Sequence, residues 1–327
     1  MSRFKRVFAG SATLAILALL VLGLFNLQAI EDWLRLRNYT PPAAIAAIAK
    51  ADSMTEVATR NFYVTHPELV DEAGAFRTAC PSFEQTIVLG CYHPGFNSSI
   101  FIYDVQDERL DGVVEVTAAH EMLHAAYDRL GQADKNRING LLNNYYNNDL
   151  RDKRVIETID SYRQSEPNDL LNEMHSIFAT EIGSLPSELE NYYRQYFSDR
   201  SAVTAFAGKY ADEFTGRIAK IKDFEQQLNS LRDKIRGEES ALSNQLSQIE
   251  ADRRRLDMLR ASGRTEEYNA SVPVFNASVN DYNASVAELR GDIAKFNRLV
   301  AAHNELAAEL SSLYESLDTT LKPQTTN

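Results

Sequence analysis

The sequence predicts a mainly α-helical protein with a small antiparallel β-hairpin or sheet, an N-terminal membrane-spanning helix and a long antiparallel coiled-coil hairpin at the C-terminus. Three observations carry that expectation. Residues 7–30 hold no charged side chain. Two runs rich in Ile, Val, Tyr and Phe, QTIVLGCYHP and SSIFIYDV, flank the turn-forming GFN. Beyond residue 220, apolar side chains return every seven positions almost to the end of the chain. The chain divides accordingly into a cytoplasmic tail (1–6), a transmembrane signal-anchor (7–30), an extracytoplasmic domain (31–205), a coiled-coil hairpin (206–318) and a disordered tail (319–327).

The N-terminal segment sets the compartment. Arg3, Lys5 and Arg6 precede the uncharged run, and Glu31 and Asp32 follow it. A spanning helix needs about 20 apolar residues, and positive flanks stay in the cytoplasm. The alternative is a cleaved signal peptide, whose apolar core runs about 7 to 15 residues. The longer core here, followed by LQA rather than a small-x-small site, favours an uncleaved anchor. The expected location is the cell membrane, single-pass, with the N-terminus cytoplasmic and the bulk extracytoplasmic. Outside the cytoplasm Cys80 and Cys91 are expected as a structural disulfide, stabilising by about 3 kcal/mol. A net charge of −12 argues against nucleic acid or anionic lipid as a partner for the main body.

After the Pro41-Pro42 break, an Ala-rich stretch with apolar spacings of three and four predicts a helix from about 42 to 60. The β-hairpin follows, and then QDERLDG leads into the helix carrying TAAHEMLHAAYDRL (117–130). NRINGLLNNYYNNDLRDKRVIETIDSYRQ predicts two amphipathic helices. EPNDLLNEMHSIFATEIGSLP predicts another, with Asn168 or Asp169 near its start and Pro186 past its end. SELENYYRQYFSDR opens with Ser187 as the expected N-cap and Glu190 three residues on.

The seven-residue repeat has two registers. Ile221, Leu228, Ile235, Leu242, Ile249 and Leu256 form one, with Phe224, Leu231 and Leu259 at the second position and Glu238, Gln245 and Asp252 interrupting it. Val272, Val279, Val286, Ile293 and Val300, complemented by Tyr268, Phe275, Tyr282, Leu289 and Phe296, form the other. Asn-Ala-Ser-Val recurs at 269, 276 and 283. Such heptads argue coiled coil, and ASGR at 261–264 between them argues an antiparallel hairpin. Pro273 predicts a kink near the tip.

HEMLH is the motif that carries chemistry. On a helix His120 and His124 share one face a turn apart, so both imidazoles can meet one ion, and Glu121 flanks them. This stretch resembles the zincin metallopeptidases. The metzincin continuation is excluded, because Tyr127 and Leu130 stand where its glycine and third histidine belong. NEMHSIF (172–178) is similar to the gluzincin pattern Asn-Glu-x-x-Ser-Asp. That resemblance implies a zinc ion on His120, His124 and Glu173, with Ser176 at the serine position and Glu121 as general base. It departs at Ile177, where the family carries the Asp that orients the first histidine. Glu181 is the rival third ligand or the missing carboxylate that would orient His120, and His175 is the third choice. Tyr192, Tyr193, Tyr196 and Arg154 are the candidate oxyanion donors. The resemblance also implies an edge strand lining the cleft, for which SSIFIYDV is the candidate.

The function these readings imply is zinc-dependent hydrolysis of peptide bonds in a peptide or protein substrate, with the coiled-coil hairpin available to a protein partner. The alternative is a catalytically inactive, zincin-derived membrane scaffold that acts through the hairpin.

Overall fold

The structure, a computed structural model, describes residues 27–81 and 87–319. The expected cytoplasmic tail, the spanning segment up to residue 26 and the tail from residue 320 lie outside the described residues. Among the described residues no helix is long and apolar enough to cross a membrane. The chain is mainly helical, with a three-stranded sheet and a long C-terminal pair of helices. It forms two compact units: one takes in the described residues up to Glu213 and from Leu313 onward, the other is Phe214–Ser312.

The first unit contains α1 (Leu27–Leu36), α2 (Ala43–Ala51), α3 (Glu56–Val64), β1 (Glu68–Val70), α4 (Ala73–Ala79), β2 (Gly90–His93) and β3 (Ser99–Tyr103). It continues through α5 (Val113–Asp128), α6 (Gln132–Asn148), α7 (Lys153–Ser165), α8 (Leu170–Glu181) and α9 (Ser187–Tyr193) into the start of α10 (Arg200–Ala261). The helix expected over 42–60 is two helices. Ser53 adopts a left-handed φ of 53°, and Thr55 starts α3 by accepting a hydrogen bond from the Ala58 N–H. A short β-bridge between Met54 and Phe197 holds that corner in place.

At the centre is α5, which carries HEMLH. Gly112 precedes it with φ 98°, and a Cβ there would come within 2.9 Å of Phe206 Cβ. Both facts require glycine. Val116, Ala118, Ala119, Met122, Leu123, Ala125 and Ala126 are all buried, so the helix is apolar nearly all round, as a core helix must be. Its four alanines let α8, α3 and the sheet approach closely.

The sheet order is β1-β3-β2, with β1 parallel and β2 antiparallel to β3. The hairpin is present, with Gly95 at φ 115° in its turn. The SSIFIYDV strand, however, is the centre of the sheet and not its edge. β1, only three residues long, pairs along its other side, leaving β2 as the outer strand on the HEMLH side. Ile100 and Ile102 of β3 are fully buried. The Cys80–Cys91 disulfide joins the C-terminus of α4 to β2.

Two further differences concern helix ends. Ser187 is not the N-cap of α9. Pro186 occupies that position, and Glu190 instead accepts a hydrogen bond at 3.0 Å from the Leu185 N–H. Arg200 closes α8 from the other direction, donating to the carbonyls of Ala179, Ile182 and Gly183 and pairing with Glu190. A cation on the last carbonyls of the helix suits its dipole.

Asp52, at the end of α2, is fully buried and neither carboxylate oxygen has a hydrogen-bond partner. Burial, and secondarily Glu115, hold its carboxyl well above the usual carboxylate range. A folded pKa above the unfolded one gives stability that is fully present below about pH 4 and lost as pH rises toward the folded value. Relative to Asp52→Asn, wild-type stability should therefore fall on going from pH 5 to pH 8, by at most about 1.4 kcal/mol per pH unit. Urea unfolding at four pH values measures it; parallel stabilities would refute it.

In the second unit, α10 and α11 (Thr265–Leu317) face each other antiparallel, joined at Gly263 with φ 70°. Arg217 pairs with Glu309, and Lys234 with Glu288 and Asp292. Leu231, Leu242, Leu256 and Leu259 are the most buried seam positions of α10. The interruption at Glu238 has a physical reason: Lys234 gathers Glu238, Glu288 and Asp292 around one ammonium. Pro273 sits inside α11 without ending it. Ser271, Ser278 and Ser285, the repeated serines of Asn-Ala-Ser-Val, each donate to the carbonyl four residues back.

Candidate metal centre

α5 and α8 pack side by side, and the acidic and imidazole side chains of their facing stripes meet at the floor of a cleft of about 810 Å³. Glu173 lies between the two histidines: its Oε2 is 3.4 Å from His120 Nε2 and its Oε1 3.4 Å from His124 Nε2. The rings of His120 and His124 stand edge to face with centroids 4.7 Å apart. One ligand atom from each of the three residues lies within 4.8 Å of the others. Glu173 is 5% exposed, and its Oε2 has no hydrogen-bond partner. Burial raises its carboxyl, but His124 and His120 outweigh that and hold it below the usual range.

The donor set fits a zinc ion. Two imidazole nitrogens and a carboxylate, with water for the fourth position, are what a catalytic zinc takes. An orphaned, buried carboxylate oxygen is the partner-seeking atom such a site should contain. Behind His124, Ser176 Oγ stands 3.5 Å from Nδ1, so Ser176 is the contact that orients this ring.

The other sequence candidates are placed elsewhere. Glu181 forms an ion pair with Arg154 and does not join the histidines, although it lines the far side of the cleft. That pairing also occupies the Arg154 guanidinium. His175 points away from the cleft into a fully buried aromatic cluster, where Nε2 is 2.9 Å from the Tyr192 hydroxyl. Burial is the chief cause that pushes its pKa down to about 3, so the ring is neutral. Tyr193 donates to the His175 carbonyl at 2.8 Å and is fully buried, so its hydroxyl supports α8 and does not face a substrate. Tyr192 and Tyr196 share the same buried network.

Several cleft residues carried no signal in the sequence. Tyr162 of α7, Tyr210 of α10 and Glu166 at the end of α7 line it, beside Asp169 and Asn172 at the start of α8. Gly90 of β2 is the most consequential. A Cβ at this position would lie 2.6 Å from Thr117 Cγ2 and 2.8 Å from both Cγ and Oε1 of Glu121. The strand thus passes directly against Glu121, and only glycine leaves that carboxylate its place. Glu121 itself is 6% exposed and lines the cleft.

Gly90→Ala is accordingly expected to displace Glu121 without touching a ligand atom. If zinc sits on His120, His124 and Glu173 with Glu121 as its base, binding should survive and peptide hydrolysis should fall by roughly a hundredfold, as misplacement by about 1 Å does elsewhere. Metal analysis beside an initial-rate assay measures both; equal loss of zinc and rate would mean the strand, not Glu121, had moved.

Compared with known proteins, the chain matches no family model, no curated protein and no solved structure.

Proposed function

We propose that the protein is a zinc-dependent peptidase of gluzincin type, anchored in a membrane with its bulk outside the cytoplasm. The observation that supports this reading best is the His120–His124–Glu173 cluster at the floor of an open cleft, with Glu121 on the same wall. A zinc ion on these three residues would supply a Lewis acid and a water of lowered pKa. Glu121 takes the proton of the attacking water and passes it to the leaving amine. Ser176 holds the His124 ring, and Gly90 keeps Glu121 in position. β2, as the outer strand beside this wall, offers main-chain groups to an extended substrate.

Membrane attachment draws on the uncharged run before residue 27 and on α1. Leu27, Ile30, Trp33 and Leu34 of α1 are exposed, a face suited to a bilayer interface. The opposite side of α1 is fixed to unit 1, because the buried Asp32 pairs with Arg60 and with Arg129 at the end of α5.

A second reading, a scaffold working through its helical hairpin, draws on the exposed Met258 and Val274 near the turn, each 66% exposed. The two readings separate on one experiment. The zinc-loaded full chain is incubated with an unfolded protein substrate. Cleavage that stops when Glu121 is replaced supports the peptidase; no cleavage by the zinc-loaded wild type favours the scaffold.

A further inference from the structure

The most exposed large apolar side chain among the described residues is Phe96, at 72%, in the turn between β2 and β3. Strand pairing ends at His93 and Ser99, so this ring lies beyond the sheet and supports neither strand. A second apolar surface is fixed beside it. Leu27, Ile30 and Leu34 follow one another by three and four residues along α1 and form one exposed stripe, with Trp33 next to it. The opposite side of α1 is engaged. Arg35 donates to the Ser98 carbonyl at 2.9 Å, to Asn97 Oδ1 at 3.4 Å and to the Val64 carbonyl. Asn97 directly follows Phe96, so one guanidinium ties α1 to the turn.

This surface borders the cleft. Cys91, Tyr92, His93 and Pro94 line it, and Pro94 is two residues from Phe96. Asp128, at the end of α5, accepts from the Tyr92 hydroxyl at 3.1 Å, and the next residue, Arg129, donates to Asp32 of α1 at 2.9 Å. One end of the cleft is thus framed by α1 and the hairpin together.

The residues leading into α1 indicate what covers the surface. The uncharged run of 7–30 overlaps the first turn of α1, so a segment long enough to span a bilayer leads straight into it. The Arg37 guanidinium lies 5.6 Å from the centre of the Trp33 ring. An amphipathic ring and a cation suit the headgroup level, where the one meets acyl chains and the other phosphate. A net charge of −12 disfavours an anionic lipid surface, which leaves a zwitterionic one.

We propose that α1 and the β2–β3 turn seat together in the headgroup layer of a zwitterionic bilayer, so that the cleft opens beside the lipid and takes protein segments lying close to a membrane. The inference rests on the membrane-anchor and peptidase readings, and its experiment fails separately from each.

The zinc-loaded full chain is reconstituted in phosphatidylcholine vesicles whose lipids carry bromine near the top of the acyl chains. Trp33 is the one tryptophan of the sequence, so its emission reports on α1. Emission should fall at least about twofold against unbrominated vesicles, because an interfacial helix buries its apolar face about 5 to 10 Å deep. Phe96→Trp in a Trp33→Phe background, an exchange of one exposed ring for another, should be quenched alike. Cleavage is then read on a peptide joined to a spanning segment in the same vesicles by about 5 or about 30 flexible residues. The short spacer should give cleavage about tenfold faster, since effective concentration falls roughly as the −3/2 power of spacer length once the site is in reach.

Trp33 quenched with Phe96→Trp unquenched overturns the proposal, as does quenching at neither position in a chain that resists an alkaline wash; the surface then faces a protein. Faster cleavage with the long spacer also overturns it, because the cleft then stands away from the lipid. Release by the wash removes the anchor and the proposal with it. Quenching at both positions without cleavage of either peptide supports the bilayer surface and removes the peptidase.

Discussion

Replacing Glu121 with Gln should reduce peptide hydrolysis about a thousandfold while leaving about one zinc per chain. The size follows from the role: a positioned general base contributes 10²- to 10⁴-fold, or roughly 3 to 5 kcal/mol of barrier. The specificity follows from the structure. Glu121 is not among the three residues whose ligand atoms converge, so its loss removes no donor. Gln keeps the length and width that Gly90 accommodates, so the strand has no cause to move. Steady-state rates on an unfolded substrate, beside metal analysis of the same samples, decide the matter. A variant that cleaves as fast as wild type removes Glu121 from the chemistry; one that loses zinc as well would mean the side chain holds the site together and does not serve as base.

The parts of this molecule that a sequence discloses are those set by a single local period. The heptads of α10 and α11 repeat often enough that the hairpin and its turn at Gly263 follow from spacing alone. HEMLH is legible for the same reason, since four residues on a helix place two histidines on one face. Glu173 took a pattern match to select, and packing shows why Glu181 is not its equal. Eight residues on, Glu181 has turned to meet Arg154, a residue that no local pattern ties to it.

What stays hidden depends on pairing at a distance. The three residues of β1 are too few to show alternation, yet their parallel pairing with β3 makes SSIFIYDV the central strand. The break at Ser53 lies in an Ala-rich stretch with helical spacing on both sides, and it is held by Phe197, more than 140 residues away. Tyr193 looked like a donor to an oxyanion because it is a tyrosine near the right helix. Its hydroxyl is committed to the His175 carbonyl, a contact that depends on how α9 packs under α8. Gly90 is the sharpest case. Nothing in LGCYH distinguishes a glycine that makes room for a carboxylate of another element from one that merely turns a chain.

The third ligand should separate cleanly in a metal titration. The full chain, freed of metal with a chelator and re-equilibrated with zinc, should hold about one ion per chain in wild type and in Glu181→Ala. It should hold less than about a tenth in His124→Ala and in Glu173→Ala, since a catalytic site has three protein ligands and loses its closure with any one. Stability gives a second readout, because an ion that binds only the folded state at a thousand times its dissociation constant adds about 4 kcal/mol. That increment should vanish from both ligand variants. Glu181→Ala should keep it, losing only the ion pair of the largely buried Glu181 with the partly exposed Arg154, worth about 1 kcal/mol. Zinc lost in Glu181→Ala and kept in Glu173→Ala would reverse the assignment. It would require α8 to slide along its axis by about two turns, roughly 12 Å, and Tyr193 and Arg200, which grip α8 at His175 and at its last carbonyls, oppose such a shift. The same two grips hold Glu173 beside His120 and His124, so the cluster depends on residues that lie outside it.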